Sequence, residues 1–161
     1  MGVCKGKVII VTGAARGLGR AHALALAKHG ARVVVNDLGV ERDGTAAASR
    51  PAQEVVDEII AAGGEAIANN ADVADWNQAE SMIQQAIETW GVLDGLICNA
   101  GFLRDRMLAS MSEEEWDTVV RVHLKGHFAP ARHAITHWRE RAKQGEDVQA
   151  RIVNTSSGAG L

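Results

Sequence analysis

Three glycines stand as G-x-x-x-G-x-G in Thr12-Gly13-Ala14-Ala15-Arg16-Gly17-Leu18-Gly19, directly after the apolar run Lys7-Val8-Ile9-Ile10-Val11-Thr12. Without Cβ atoms, such a segment can turn tightly, let a phosphate approach its backbone, and pack a helix closely on a strand. The free N–H groups and partial positive charge of a helix start suit a pyrophosphate. Turns collect glycine anyway, but the place of this one, between a strand and a helix near the chain start, favours the anion reading. Thr12, Gly13, Ala15, Arg16, Gly17, Leu18 and Gly19 are therefore candidate ligand contacts.

A carboxylate closes the next apolar run: Asp37, followed by Leu38. There it can accept hydrogen bonds from both hydroxyls of an adenosine ribose, and it repels a 2′-phosphate. Together these features predict NAD in preference to NADP. Arg16 and Arg42 argue the other way, since either can pair with a 2′-phosphate, but a fixed carboxylate is hard to override.

Other constellations are weaker. His123, His127, His133 and His137 fall at two i, i+4 spacings, which can hold a metal. His133-Ala134-Ile135-Thr136-His137 lacks the glutamate of the zinc-protease pattern, and no third ligand is evident, so we expect no metal and histidines of a helix face or interface. Arg104-Asp105-Arg106 can meet an anionic substrate such as the phosphates of CoA, although a solvated loop is the simpler account. Cys4 and Cys98 match no metal or redox spacing, and Cys98 reads as a small core residue.

The elements that must position these residues alternate along the chain. Lys7–Thr12, Arg32–Asn36 with its three valines, a weaker Glu65–Asn69, Leu93–Cys98 and Arg151–Thr155 read as strands. The first helix runs from Gly17 to Gly30, with Leu18, Ala21, Leu24, Ala25 and Ala27/Lys28 fitting its period. Pro51 opens a second helix to Ala62, with Val55, Val56, Ile59 and Ile60 inward. Asp75 caps a third from Trp76 to Trp90, with Met82, Ile83, Ala86 and Ile87 on one face and Gly91 as its stop. Leu38 to Arg50 has no period and reads as a loop. Ser112 and Glu115 form a capping-box pair, within an acidic helix start, for a long helical stretch to about Lys143. Inside it Pro130 takes the helical partner from the Gly126 carbonyl, so a kink near residues 123 to 130 is one expectation and a tolerated surface proline the other. The alternation predicts an α/β, Rossmann-like, doubly wound parallel sheet in a single domain over 1–161, ending after the fifth strand.

At 161 residues the chain suits one domain, and with 47% hydrophobic and 23% charged residues its balance is that of a globular protein. A net charge of −3 argues against a nucleic-acid or anionic-membrane surface. No apolar run approaches the roughly 20 residues needed to span a bilayer. Met1 to Lys7 lacks the pattern of a signal peptide, and Gly6 stands where myristoylation wants Ser or Thr. Ala159-Gly160-Leu161 is not a peroxisomal address. We expect a reduced, cytoplasmic protein.

With the elements in place, the sequence resembles the short-chain dehydrogenase/reductase family. The motifs that carry this are Thr12 to Gly19, Asp72-Val73 after the third strand, Asn99-Ala100-Gly101 after the fourth, and Ile152-Val153-Asn154-Thr155-Ser156-Ser157 at the fifth. They occur in the family's order and cover essentially the whole chain. Gly17 to Leu24, Val34 to Gly39 and Val122-His123-Leu124-Lys125-Gly126 are more closely similar to the subgroup of peroxisomal multifunctional enzyme type 2 dehydrogenase modules and their single-domain bacterial relatives. The resemblance implies an NAD-dependent oxidoreductase acting on a secondary alcohol or ketone, such as a (3R)-hydroxyacyl-CoA or a hydroxysteroid. It assigns Asp72 to the adenine amino group, Val73 to a neighbouring backbone contact, and Asn99, Ala100 and Gly101 to the adenosine and ribose side. Ser157 matches the catalytic serine, which hydrogen-bonds the substrate oxygen. A homodimer or homotetramer is implied for a complete chain.

Two departures stand out. His123 occupies the position of a helix asparagine that helps organise a proton-relay water, a substitution the subgroup shares. The sequence contains no tyrosine, whereas the family's proton donor is the Tyr of a Y-x-x-x-K pair. We therefore expect these residues to be the N-terminal portion of a longer dehydrogenase and inactive by themselves. The alternative is a non-enzymatic NAD-binding remnant or module.

Overall fold

The computed structural model describes residues 2–39 and 51–158. Strands β1 (Val8–Thr12), β2 (Arg32–Asn36), β3 (Glu65–Asn69), β4 (Gly95–Cys98) and β5 (Arg151–Asn154) form one sheet in the order β3-β2-β1-β4-β5. Every pairing is parallel, so helices must carry the chain back between strands. These are α1 (Gly17–Lys28), α2 (Pro51–Ala61), α3 (Trp76–Trp90), α4 (Glu113–Val120) and α5 (Gly126–Lys143). The order turns back between β1 and β4. At such a switch point the loops leaving adjacent strands diverge and open a crevice at the carboxyl ends.

Strand periodicity sends alternate side chains to opposite faces. Val8, Ile10 and Val34 join Met82, Ile83 and Ala86 of α3 and Ala134 and Trp138 of α5. Val11, Val33 and Val35 face Ala23 of α1 and Val55, Val56 and Ile59 of α2. The Asp75 carboxylate accepts the Gln78 N–H at 2.9 Å to start α3, and Gly91 at φ +76° ends it by donating to the Ile87 carbonyl. Ser112 and Glu115 close the capping box of α4 in both directions, at 3.0 and 3.2 Å. The indole N–H of Trp138 donates to the Leu93 carbonyl at 2.6 Å and pins α5 to the sheet.

Three expectations need correction. On α1 the buried positions are Gly19 and Ala23, while Leu18, Ala21 and Ala25 are exposed; small apolar residues lie all round this helix, so its period does not single out a face. On α2, Ile60 is 54% exposed beside a buried Ile59, since neighbours in a helix diverge by about 100°. The long helical stretch is broken by a π-helical turn, Arg121–Lys125, in which Gly126 N–H donates to the Arg121 carbonyl. The irregularity thus starts before the expected kink, and Pro130 lies buried within α5. Beyond Gly39, the expected loop to Arg50, Arg42 included, is outside the described residues. No described helix is long and apolar enough to cross a membrane.

Candidate functional site

The four sequence motifs meet at the carboxyl ends of the strands. Thr12 ends β1 and is buried, and its hydroxyl is fully engaged. It donates to the Ile97 carbonyl at 3.3 Å and accepts the N–H groups of Asn99 at 2.9 Å and Ala100 at 3.0 Å. The Asn99 amide answers across the same gap, donating to the carbonyls of Thr12 at 3.1 Å and Gly13 at 3.2 Å. Its oxygen accepts the Thr155 hydroxyl at 3.3 Å. The side chains of Thr12 and Asn99 therefore lock the β1, β4 and β5 loops together.

That lock sets the glycine positions. Gly13 has φ +60°, and a Cβ on it would lie 2.8 Å from the Ala100 Cα. A Cβ on Gly19 would lie 2.1 Å from the Gly13 carbonyl oxygen and 2.6 Å from the Asn99 amide nitrogen. Helix α1 therefore starts in direct contact with the turn before it. Arg16 stands at the N-cap of α1, where its side chain does not cap the helix, and the first turn holds no acidic residue. An anion approaching the N–H groups there meets no competing carboxylate on that turn.

Asp37 leaves the end of β2 toward the same turn. Its carboxylate accepts the Ala15 N–H at 3.2 Å and the Gly39 N–H at 3.0 Å. Leu38 beside it is 47% exposed. Behind them, the buried Asn36 amide donates to Asn69 at 2.7 Å and to the Ala71 carbonyl at 3.0 Å, holding the β2 and β3 exits together.

On the β3 side, Asp72 accepts the Ala74 N–H at 2.8 Å and pairs with Arg121 at 2.5 Å. Val73 is buried, and a Cβ on Gly126 would come 2.8 Å from its methyl. His123, on the same π-turn as Arg121, reaches the loop after β4. Its Nε2 lies 2.7 Å from the Phe102 carbonyl oxygen and 3.2 Å from the Phe102 nitrogen, while Gly101 leaves room for the ring. One segment thus braces two loops. It leaves Nδ1 as the His123 atom turned to neither Phe102 group. Ser157 lies exposed just past β5, whose ladder continues in a bond from Thr155 N–H to the Cys98 carbonyl at 3.0 Å.

Arg121 had no motif to announce it: its partner is 49 residues away in sequence. Arg104 and Arg106, expected as a solvated loop, are both engaged. Arg104 stacks 4.8 Å from the Phe102 ring centroid, and Arg106 pairs with Glu115 at 2.9 Å. They line a cavity of about 450 Å³ with Ser112, Glu114, Glu115 and Thr118, which includes none of the glycine-turn residues. The Ser112 backbone N–H and then Arg106 hold Glu115 below the ordinary carboxylate range. His133 is buried against Trp76, and among the described residues no three potential ligands form a metal cluster. Cys98 is fully buried, and desolvation pushes its thiol up to about 11.

Against this geometry the comparisons with known proteins are consistent. A family model described as short chain dehydrogenase matches residues 7–161. A hydroxyacyl-CoA dehydrogenase of Mycobacterium tuberculosis is 49% identical over 162 residues, covering 97% of this chain and 48% of the relative. The peroxisomal multifunctional enzyme type 2 of Mus musculus is 44% identical over 156 residues, covering 97% of this chain and 20% of the relative. A crystal structure of a short chain dehydrogenase from Mycobacterium avium superposes with a TM-score of 0.93 at 62% identity, over 100% of this chain and 57% of that one. The chain spans about half, or less, of the length of these relatives.

Proposed function

The chain belongs to the short-chain dehydrogenase family, and within it we propose that these residues bind NAD for oxidation or reduction at a secondary alcohol or ketone, in a substrate resembling a 3-hydroxyacyl-CoA or a hydroxysteroid. The observation that carries the cofactor choice is Asp37, a carboxylate at the tip of β2 tied to the glycine turn by the Ala15 N–H. Its remaining lone pairs suit the two ribose hydroxyls, and its charge opposes a 2′-phosphate. The N–H groups of Gly17, Leu18 and Gly19 suit the pyrophosphate. Thr12 and Asn99 act by holding the turn, while Ala100, Gly101, Asp72 and Val73 line the adenosine side. Similarity to a hydroxyacyl-CoA dehydrogenase supports the substrate class.

A bound nicotinamide ring supplies the hydride acceptor or donor. Ser157 supplies a hydroxyl to steady the charge that develops on the substrate oxygen. His123 holds the loop after β4 through Phe102, with Nδ1 left for a water of a proton relay. With no tyrosine in the sequence, turnover by these 161 residues alone is not expected.

Titration of NAD and NADP into the protein, expressed from its full reading frame, tests the reading. Asp37→Ala should weaken NAD by about 1–3 kcal/mol, the worth of charged hydrogen bonds, and weaken NADP less or not at all. Tighter binding of NADP than NAD by the unaltered protein would overturn it.

A further inference from the structure

The mechanism leaves one built contact at the dinucleotide site without a purpose: the ion pair between Asp72 and Arg121. Both carboxylate oxygens of this pair and the backbone that carries them have partners. One Asp72 oxygen accepts the Ala74 N–H at 2.8 Å and the other meets the Arg121 guanidinium at 2.5 Å. The Asp72 backbone is fixed as well, donating to the Gln78 side chain at 2.9 Å and accepting the Asp75 N–H at 3.0 Å. Arg121 is itself held at its base. It opens the π-turn that is pressed onto Val73 through Gly126 and onto Phe102 through His123. The carboxylate is 18% exposed, so its outer edge can still be reached by a ligand.

A carboxylate offers about four lone-pair sites, and here two have partners. The guanidinium and the Ala74 N–H together fix the plane in which the others point. From these contacts we propose that Arg121 is a positioning residue: it fixes the Asp72 carboxylate so that the base side of the site accepts a 6-amino purine and rejects a 6-oxo purine. A 6-amino group donates a hydrogen bond to the fixed oxygen. A 6-oxo group brings lone pairs against lone pairs, leaving a polar edge unpaired, which is how hydrogen-bonding sites discriminate. The inference rests on the reading of Asp72 as the residue that meets the base.

The test compares binding of NAD with binding of nicotinamide hypoxanthine dinucleotide, which differs at that one position of the base. The protein is expressed from its full reading frame, and dissociation constants are measured by calorimetry. The unaltered protein should prefer NAD by about tenfold, one hydrogen bond's worth of discrimination. Asp72→Asn, whose amide both donates and accepts, should bring the two ligands within about twofold. Arg121→Gln should lose the preference to a similar extent, and Arg121→Met serves the same purpose if the glutamine variant does not fold. Arg121→Lys, which keeps the charge, should restore most of the preference. A merely structural role would weaken both ligands equally and leave their ratio alone. If Asp72→Asn removes the preference while the neutral Arg121 variants keep it, or if Arg121→Lys restores nothing, the role given to Arg121 is wrong. If Asp72→Asn itself leaves the ratio unchanged, the reading of Asp72 is wrong. If the unaltered protein binds neither dinucleotide, the proposed function fails with it.

Discussion

Substitution of Gly19 by alanine is the most demanding test of the geometry at the glycine turn. The added methyl would lie 2.1 Å from the Gly13 oxygen, so the turn must open by about 1.3 Å to reach ordinary contact at 3.4 Å. That oxygen also accepts the Asn99 amide at 3.2 Å, and the same amide holds Thr12 at 3.1 Å. Opening the turn therefore strains the packing and gives up two hydrogen bonds. Overpacking at about 1–3 kcal/mol and two bonds at about 1 kcal/mol each put the loss near 3–5 kcal/mol. Gly17→Ala is the control. Gly17 has φ +52° but open space around a Cβ, so only the left-handed backbone is penalised, by about 1–2 kcal/mol. Thermal unfolding should show a drop of roughly 9–15 °C for Gly19→Ala and roughly 3–6 °C for Gly17→Ala, at about 3 °C per kcal/mol for a protein of this size. Equal drops, or a larger one for Gly17→Ala, would refute the claim that close approach, not backbone conformation, makes position 19 a glycine.

Further outcomes follow from contacts elsewhere. Trp138→Phe removes the five-membered ring with its N–H, so it both leaves a small void and strands the buried Leu93 carbonyl; denaturant unfolding should show a loss of at least about 1–3 kcal/mol. Cys98, buried and with its thiol pushed up to about 11, should resist a thiol reagent at pH 8 while the partly exposed Cys4 reacts; two fast equivalents instead of one would contradict this. Glu115 is held below its unfolded value of about 4.3. Its contribution is thus present above that value and is lost as pH falls through the lowered one. The difference in melting temperature between the unaltered protein and Glu115→Gln should therefore shrink in acid, and a gap that stays constant from pH 7 to pH 3 would count against the capping role.

The sheet was readable because its strands are short and almost wholly apolar, as Val33-Val34-Val35 shows, and because Asp75 and Gly91 mark the ends of α3 as their chemistry demands. The glycine turn and Asp37 were readable for the same reason: a local backbone requirement leaves a local residue pattern. The face of α1 was not, since Leu18, Ala21, Ala23 and Ala25 are nearly equivalent until Gly19 decides which side touches the sheet. Nor was the pairing of Asp72 with Arg121, because side-chain partners 49 residues apart leave no periodic trace. Thr12 and Asn99 were legible as candidate site residues, while their work in locking three loops required the distances.

The π-turn at Arg121–Lys125 has a consequence for how this stretch tolerates change. A turn of this kind holds one amino acid more than regular winding would. Deleting a single residue there would mend the ladder, yet would swing everything downstream by about 100° relative to what precedes it. Arg121 and Trp138 could then no longer reach Asp72 and Leu93 at the same time. The surplus residue lets one rod serve two sockets that a uniform helix would place out of phase, so a shorter and better-wound version should fit the molecule worse.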